Sequence, residues 1–121
     1  MTPKEILQKY WGYSSFRPLQ EEIITTVMGL KDTLAILPTG GGKSVCFQVP
    51  ALAMDGLCLV ISPLIALMQD QLSQLENKNI PAGSIYAGMT LAEVKSTMQK
   101  AVAGEYKFLY VSPERLQTKL F

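Results

Sequence analysis

The stretch that decides the fold is Leu37-Pro-Thr-Gly-Gly-Gly-Lys-Ser44, which directly continues the short apolar run Thr33–Leu37. Three successive glycines allow the backbone N–H groups of such a loop to turn inward around an anion. A helix that begins near Lys43 adds the partial positive charge of its N-terminus. We therefore predict a phosphate-binding loop between a buried strand and a helix. In this loop, Lys43 reaches the β- and γ-phosphates of a nucleotide and Ser44 holds Mg²⁺.

Leu37 stands where the usual pattern, G-x-x-x-x-G-K-[ST], has its first glycine. The interpretation as a phosphate loop does not need a glycine at this position, because Leu37 ends the strand and Gly40, Gly41 and Gly42 already supply the backbone freedom. A structural alternative stays open, in which the glycines form an ordinary turn between a strand and a helix.

Upstream of this loop, the pattern predicts two helices. Thr2-Pro-Lys-Glu5 is a capping box with proline at the first helical position, and it opens a helix that runs to about Tyr10. A loop follows over residues 11–18. Apolar side chains at helical spacing then predict the inner face of a second helix, at Leu19, Ile23, Val27 and Leu30.

Downstream of the loop, strands and helices alternate. Strands are predicted at Leu57–Ile61, Ser84–Tyr86 and Lys107–Val111. The runs Thr33–Leu37 and Leu57–Ile61 have no polar alternation, which indicates a parallel sheet covered on both faces. The expected fold class is therefore α/β with a mostly parallel sheet.

Four helices are predicted among these strands. The helix near Lys43 has Val45, Val49 and Leu52 on one face, and Pro50 should kink or end it. A helix opened by Ser62-Pro63 and one opened by the capping box at Thr90 follow, and Ser112-Pro113 opens the last. Their inner faces are expected at Leu64, Met68, Leu72 and Leu75, and at Leu91, Val94, Met98 and Ala101.

Composition narrows the classes of function. The 121 residues carry a net charge of +1, so no large basic field indicates nucleic acid, although backbone amides also hold phosphates. The absence of histidine excludes His-based acid–base chemistry and zinc sites with His ligands. Cys46 and Cys58 have no metal-binding spacing and are expected to be buried, reduced thiols. With no apolar run of about 18 residues and no signal-peptide pattern, one cytosolic domain is expected.

A candidate base-binding segment precedes the phosphate loop. A glutamine amide such as that of Gln20 can pair with both N6 and N7 of adenine, Tyr13 offers a stacking face, and Arg17 a planar donor. These residue types also suit an amphipathic surface helix with an aromatic anchor, and that alternative stays open.

Taken together, the motifs resemble the N-terminal part of the first RecA-like domain of RecQ-family DNA helicases, which belong to superfamily 2. Gly12–Gln20 is similar to the family's motif 0, and Leu37–Gln48 with Pro50–Leu52 to motif I. Ile61–Gln71 is similar to motif Ia and Tyr110–Leu116 to motif Ib. In that family the first glycine of the phosphate loop is also routinely absent, as at Leu37.

The resemblance implies a P-loop NTPase fold of the RecA-like, three-layer type and an ATP-dependent 3′–5′ DNA helicase that couples ATP hydrolysis to duplex unwinding in recombination and repair. It implies ATP and Mg²⁺ as cofactors, with Ser44 on the metal and Lys43 as the catalytic residue. The nucleotide contacts that it implies are Tyr13, Arg17, Gln20, Thr39, Gly40, Gly41, Gly42, Lys43 and Ser44. The implied DNA contacts are Ser62, Pro63, Leu64, Ser112, Pro113, Glu114 and Arg115.

Both implied DNA-contact segments are predicted helix N-termini at the carboxyl edge of a parallel sheet, where open α/β folds bind ligands. Taken alone, Ser-Pro helix starts are usually caps. The implied partners are single-stranded or duplex-junction DNA and a second RecA-like domain, with no membrane and a cytoplasmic or nucleoid-associated location.

The resemblance also implies parts outside residues 1–121. The family's D-E-x-H motif, which holds Mg²⁺ and orients water, would follow Phe121, so the expected domain is incomplete and ends before the Walker B strand. In the family, strands from that region lie between the phosphate-loop strand and the motif Ia strand. We therefore expect residues 1–121 to swap, oligomerise or rearrange when alone, because the centre of the sheet would be missing.

Two other functions stay open. The chain could be a binding module that holds nucleotide or single-stranded DNA without hydrolysis, and for residues 1–121 alone we expect no DNA-stimulated turnover. It could also be part of a superfamily 2 RNA helicase. Phe16–Gln20 and Thr39–Ser44 resemble RecQ more than the Ala-x-Thr-Gly-x-Gly-Lys-Thr pattern of RNA helicases.

Overall fold

The computed structural model describes residues 1–36 and 43–116. The chain forms two compact units, Met1–Asp55 and Gly56–Phe121. Each unit has an apolar core of its own, so the folding of each is explained separately.

The first unit contains three helices, α1 (Pro3–Trp11), α2 (Gln20–Met28) and α3 (Lys43–Ala53). The predicted capping box is confirmed: the Thr2 hydroxyl accepts from Glu5 N, and the Glu5 carboxylate accepts from Thr2 N. Gly12 ends α1 in the left-handed region at φ 77°, where glycine lacks the steric penalty of other residues.

Five buried side chains hold these helices together: Ile6, Leu7, Ile24, Val45 and Val49. The prediction for α3 is confirmed at Val45 and Val49, and Pro50 does not end this helix, which continues to Ala53. Pro50 has no N–H to donate within the helix, but its carbonyl still accepts from Met54 N at 3.0 Å.

The predicted inner face of α2 is wrong. Gln20 and Ile24 are buried, whereas Leu19 and Leu30 are exposed and Ile23 and Val27 are half-buried. Each step along a helix turns the side chain by about 100°. Ile24 packs in the core shared with α1 and α3. The predicted apolar stripe lies on the neighbouring face of α2, so its side chains border this core and are not buried in it.

The strand predicted at Thr33–Leu37 is also wrong over its described part. Residues 33–36 form no strand, and the side chains of Leu34 and Ile36 are 89% and 84% exposed. A strand makes its hydrogen bonds to a neighbouring strand and none within itself. The described sheet does not include these residues, so their apolar character alone does not make them a strand. Leu37 lies outside the described residues.

The second unit is a parallel sheet with helices. The strands are β1 (Cys58–Ile61), β2 (Ala82–Ile85) and β3 (Phe108–Val111), and the helices are α4 (Ile65–Asn77), α5 (Leu91–Val102) and α6 (Pro113–Leu116). The strand order is β1-β3-β2, and all pairs are parallel. The predicted α/β class with a parallel sheet is confirmed in this unit.

Strand β3 is covered on both faces. All four of its residues are buried. Leu109 and Val111 pack with Val94 of α5, while the Tyr110 hydroxyl donates to Gln71 Oε1 of α4 at 2.7 Å. Because successive side chains of a strand point to opposite faces, α4 and α5 lie on opposite sides of β3.

Strand β1 does not match the prediction of burial on both faces. It is an edge strand of the described sheet, and its residues Leu59 and Ile61 are 44% and 53% exposed. The sequences of β1 and β3 are therefore similarly apolar, but within the described sheet β3 has a strand on each side and β1 has one on a single side.

The aromatic ring of Tyr106 covers Gly83 in β2. A Cβ atom built at Gly83 would lie 2.8 Å from the Tyr106 ring carbons Cε2 and Cζ. We expect Gly83→Ala to lower the free energy of unfolding by about 1–3 kcal/mol, because the ring must move. Chemical denaturation measures this loss. Introducing Gly83→Ala into a Tyr106→Leu background should remove most of the added cost, and an equal loss in both backgrounds would contradict the contact.

The second capping box gives a pH dependence. Thr90 N and the Thr90 hydroxyl both bond to Glu93, with Thr90 N donating to Oε1 at 3.0 Å, and these bonds lower the pKa of Glu93 below its ordinary value of 4.5. A carboxyl with a lowered pKa stabilises the fold above its unfolded pKa and loses this effect as the pH falls through its folded pKa.

We therefore expect wild type to be more stable than Glu93→Gln near neutral pH, with a difference that shrinks as the pH falls below about 4.5. Urea denaturation at several pH values measures it. Glu5→Gln is the matched variant in the first unit, because Glu5 has the same box and a pKa lowered by the same bonds to Thr2. A difference that stays constant down to about pH 3 would contradict the role of the ionised carboxylate.

Candidate functional site

The proposed adenine-binding residues lie around the turn between α1 and α2. Tyr13 directly follows the glycine that ends α1 and is exposed, as is Arg17. Gln20 is the first residue of α2 and is only 4% exposed. The ring and the guanidinium of the predicted set are therefore accessible, whereas the amide is buried.

Gln20 has a structural role that the sequence did not indicate. Its Oε1 accepts from Arg17 N at 2.8 Å, and Gln20 N donates to Arg17 O at 3.1 Å. Leu19, inside this turn, has φ 73°, a strained conformation for a residue with a side chain. Two hydrogen bonds between Arg17 and Gln20 thus hold a strained turn directly before α2.

The described part of the predicted phosphate loop is the first turn of α3. Lys43 is exposed and Ser44 half-buried at its start, and Thr39, Gly40, Gly41 and Gly42 lie outside the described residues. Val45 and Val49 anchor α3 in the same core as Ile24 of α2.

Lys43 lines a cavity of about 250 Å³ in the first unit. The other walls are mainly apolar and include Ile23 and Val27 of α2 and Phe47 of α3. Part of the stripe expected in the core therefore lines a cavity beside Lys43.

The two proposed DNA-contact turns lie at the carboxyl edge of the sheet in the second unit. Ser62 N donates to Val111 O at 3.1 Å, and Ser112 N donates to Ile85 O at 3.0 Å. These bonds continue the ladder by one residue past the ends of β1 and β3. The parallel register therefore places the Ser62 and Ser112 turns side by side at the carboxyl edge, the edge that the sequence predicted for both.

The first of these turns leads into a helix without a side-chain cap. Helix α4 begins at Ile65, two residues after Pro63, and its N-cap is Leu64, which is exposed. The Ser62 hydroxyl accepts from Leu64 N at 3.3 Å. The N–H groups of the first helical turn have no partner within the helix, so they can bind an anion such as a phosphate.

The second turn is more enclosed than expected. Ser112 is 1% exposed, and its Oγ has no hydrogen-bond partner among the described residues. Pro113 begins α6, as predicted, and Glu114 is exposed. Arg115 is half-buried, and its guanidinium bonds to two backbone carbonyls. Contact with DNA stays a prediction for all residues of both turns.

The cysteines are reduced thiols, as predicted, although only Cys46 is buried and Cys58 is half-buried. Burial raises the pKa of both thiols, against a smaller lowering of the Cys58 pKa by Lys107. In residues 1–36 and 43–116, no group of three or more Asp, Glu, Cys or His side chains could hold a metal ion. Within the same residues, every helix is too short or too polar to cross a bilayer.

A parallel sheet with turns at its carboxyl edge, together with a helix that begins at Lys-Ser, indicates an α/β protein. Comparison with known proteins identifies its family. The family model of DEAD/DEAH box helicases matches residues 17–121, so the chain belongs to this family. The fold agrees with a solved structure, titled as the crystal structure of a hypothetical ATP-dependent RNA helicase from Sulfolobus tokodaii. The TM-score is 0.70 at 20% identity, over 94% of this chain and 34% of that one. The predicted RecA-like fold class is confirmed.

Relatives with higher identity are named as RecQ helicases, which confirms the predicted resemblance. The ATP-dependent DNA helicase RecQ of Haemophilus influenzae is 45% identical over 99% of this chain and 19% of its own length. The protein of the same name from Synechocystis is 45% identical over 93% of this chain and 24% of its own. ATP-dependent DNA helicase Q1 of Mus musculus is 43% identical over 98% and 19%. The chain thus spans roughly a fifth of these relatives.

The hydroxyl of Ser112 allows a direct test of the edge. We expect Ser112→Ala to leave the free energy of unfolding unchanged or raise it by up to about 1 kcal/mol, because it removes a buried polar group that has no partner among the described residues. Ser62→Ala is the matched control, since it removes a hydroxyl that accepts from Leu64 N. A loss of more than about 1 kcal/mol in Ser112→Ala would show that the hydroxyl has a native partner.

Proposed function

We propose that this chain is the ATP-binding part of an ATP-dependent DNA helicase of 3′–5′ polarity, which couples ATP hydrolysis to duplex unwinding in recombination and repair. One observation supports it most: α3 begins at Lys43-Ser44, which directly follow three glycines in the sequence, in a chain of the DEAD/DEAH box helicase family. A helix N-terminus, a lysine and a hydroxyl in this order are the parts that bind nucleotide phosphates.

In this proposal the first unit holds the nucleotide. Lys43, which is exposed, would reach the β- and γ-phosphates. The family resemblance assigns phosphate contacts to Thr39, Gly40, Gly41 and Gly42 as well. Tyr13 and Arg17 contact the adenine from the surface. Gln20 orders the Arg17 turn, and its amide, which is buried in this structure, would have to become exposed to reach the edge of the base.

The residues present also fit Mg²⁺. Ser44 lies in the first turn of α3 and carries a hydroxyl, an oxygen ligand of the kind that this ion prefers. Mg²⁺ usually keeps several waters and binds phosphate oxygens together with few protein ligands. When bound, the ion would neutralise phosphate charge, while Ser44 and Lys43 would orient the nucleotide.

The carboxyl edge of the sheet in the second unit is the proposed DNA surface. The turns at Ser62 and Ser112 are adjacent, and α4 offers first-turn N–H groups without a side-chain cap. Contacts of this kind recognise the phosphate backbone independently of sequence. We propose DNA and not RNA as the nucleic acid, because the relatives at 45% identity are named DNA helicases.

The same resemblance supports the partners and the location. A second RecA-like domain would complete the ATPase, and single-stranded or duplex-junction DNA would be the nucleic acid. The protein would act in the cytoplasm or on the nucleoid.

The test is nucleotide binding by Lys43→Ala. We expect the affinity for ATP to fall about 10- to 100-fold, because a charge-assisted contact with the phosphates is lost. Fluorescence titration with a labelled ATP analogue measures it. Lys4→Ala is the matched control, an exposed lysine on α1 of the same unit. Equal affinities for wild type and Lys43→Ala would contradict the proposal. ATP turnover with and without single-stranded DNA then separates a hydrolase from a module that only binds.

A further inference from the structure

Arg115 joins two segments that are far apart in sequence. Its Nε donates to Tyr86 O at 3.1 Å and its Nη2 to Met89 O at 2.8 Å. Arg115 belongs to α6, which follows β3, whereas Tyr86–Met89 is the segment between β2 and α5. The guanidinium thus links the connections that follow two neighbouring strands.

The two acceptors belong to one tight turn. Met89 N donates to Tyr86 O at 3.3 Å, and Gly88, between them, has φ 101°, a conformation suited to glycine. Tyr86 O therefore accepts from both the turn and Arg115. The planar guanidinium presents several N–H donors in a rigid fork, so it can reach both carbonyls at once, which an ammonium cannot match.

The described part of helix α6, Pro113–Leu116, is a single turn. One helical turn is not stable by itself, so contacts with other parts of the chain are needed to hold it. Ser112 N bonds to Ile85 O, and Arg115 N donates to Ser112 O at 3.1 Å. The guanidinium extends this attachment from the end of β2 to the turn that follows it.

From these contacts we infer that Arg115 is a positioning residue: its guanidinium holds the Ser112–Glu114 turn against Tyr86–Met89, and it does not itself bind a DNA phosphate. This inference rests on the proposed DNA-binding function of the carboxyl edge. It differs from the expectation that Arg115 contacts DNA, because its donors Nε and Nη2 point to backbone carbonyls.

A phosphate-binding residue and a positioning residue differ in how they affect the salt dependence of DNA binding. A residue that binds a phosphate releases counterions from the DNA, so removing that residue makes the affinity less dependent on salt. A positioning residue changes the affinity through the order of the turn and leaves the number of phosphate contacts unchanged. Arg115→Lys keeps the charge but loses the fork, and Arg115→Gln loses both.

The experiment uses the whole chain, with a labelled single-stranded oligothymidylate as the probe, and combines two measurements. Hydrogen exchange reports the backbone amides of residues 86–89 and 114–116, and titrations at several salt concentrations give the affinity and its salt slope. We expect both Arg115 variants to speed exchange in the two segments and to weaken binding about 3- to 10-fold. We expect the slope to match that of wild type. Lys100→Gln, an exposed lysine on α5, controls for a lost charge in the same unit.

Other results would overturn the inference. Exchange unchanged in both variants would show that the fork does not hold the turn. A slope smaller by about 0.7 in Arg115→Gln but not in Arg115→Lys would show a direct phosphate contact. Failure of wild type to bind the oligonucleotide would overturn the proposed DNA-binding function and the positioning role with it. That failure is distinguishable, because it appears without any substitution.

Discussion

Strand β3 makes parallel hydrogen-bonded ladders on both of its sides, and the second unit depends on this double pairing. Phe108–Val111 are all buried, with α5 on one face and α4 on the other. Since β1 and β2 pair with the same residues of β3, the three strands end at one level. The turns after β1 and β3, at Ser62 and Ser112, therefore meet at one edge, and the Arg115 fork joins the turn after β2 to them.

Features determined by local sequence could be predicted, and those determined by distant neighbours could not. The capping boxes at Thr2 and Thr90 depend on residues three positions apart, and both form. The burial of an apolar run depends on what pairs with it. Cys58–Ile61 and Phe108–Val111 are similarly apolar, yet one is an edge and the other the centre. The exposed side chains of Leu34 and Ile36 make the same point, since no strand of the described sheet accompanies them.

The candidate site shows the same division. Motif and spacing identified the start of α3 and placed both edge turns correctly, because a strand followed by a helix start has a definite position in a parallel sheet. They did not reveal that Gln20 and Arg115 bond to backbone groups. A polar side chain in a motif can bond either to a ligand or to the protein's own backbone. The sequence identifies the side chain as a donor or an acceptor, but only the structure shows which group it bonds to.

The small net charge of +1 agrees with a surface that uses backbone groups more than cations. If Arg115 is committed to Tyr86 and Met89, the edge turns contribute N–H groups and a helix dipole, whose strength does not depend on base sequence. In the proposed function, such a surface would bind a DNA strand through its phosphates without fixing the register of the strand. A protein that moves along DNA needs contacts of this kind, because each step must replace one phosphate with an equivalent one. Precise positioning of the turns then matters more than added charge.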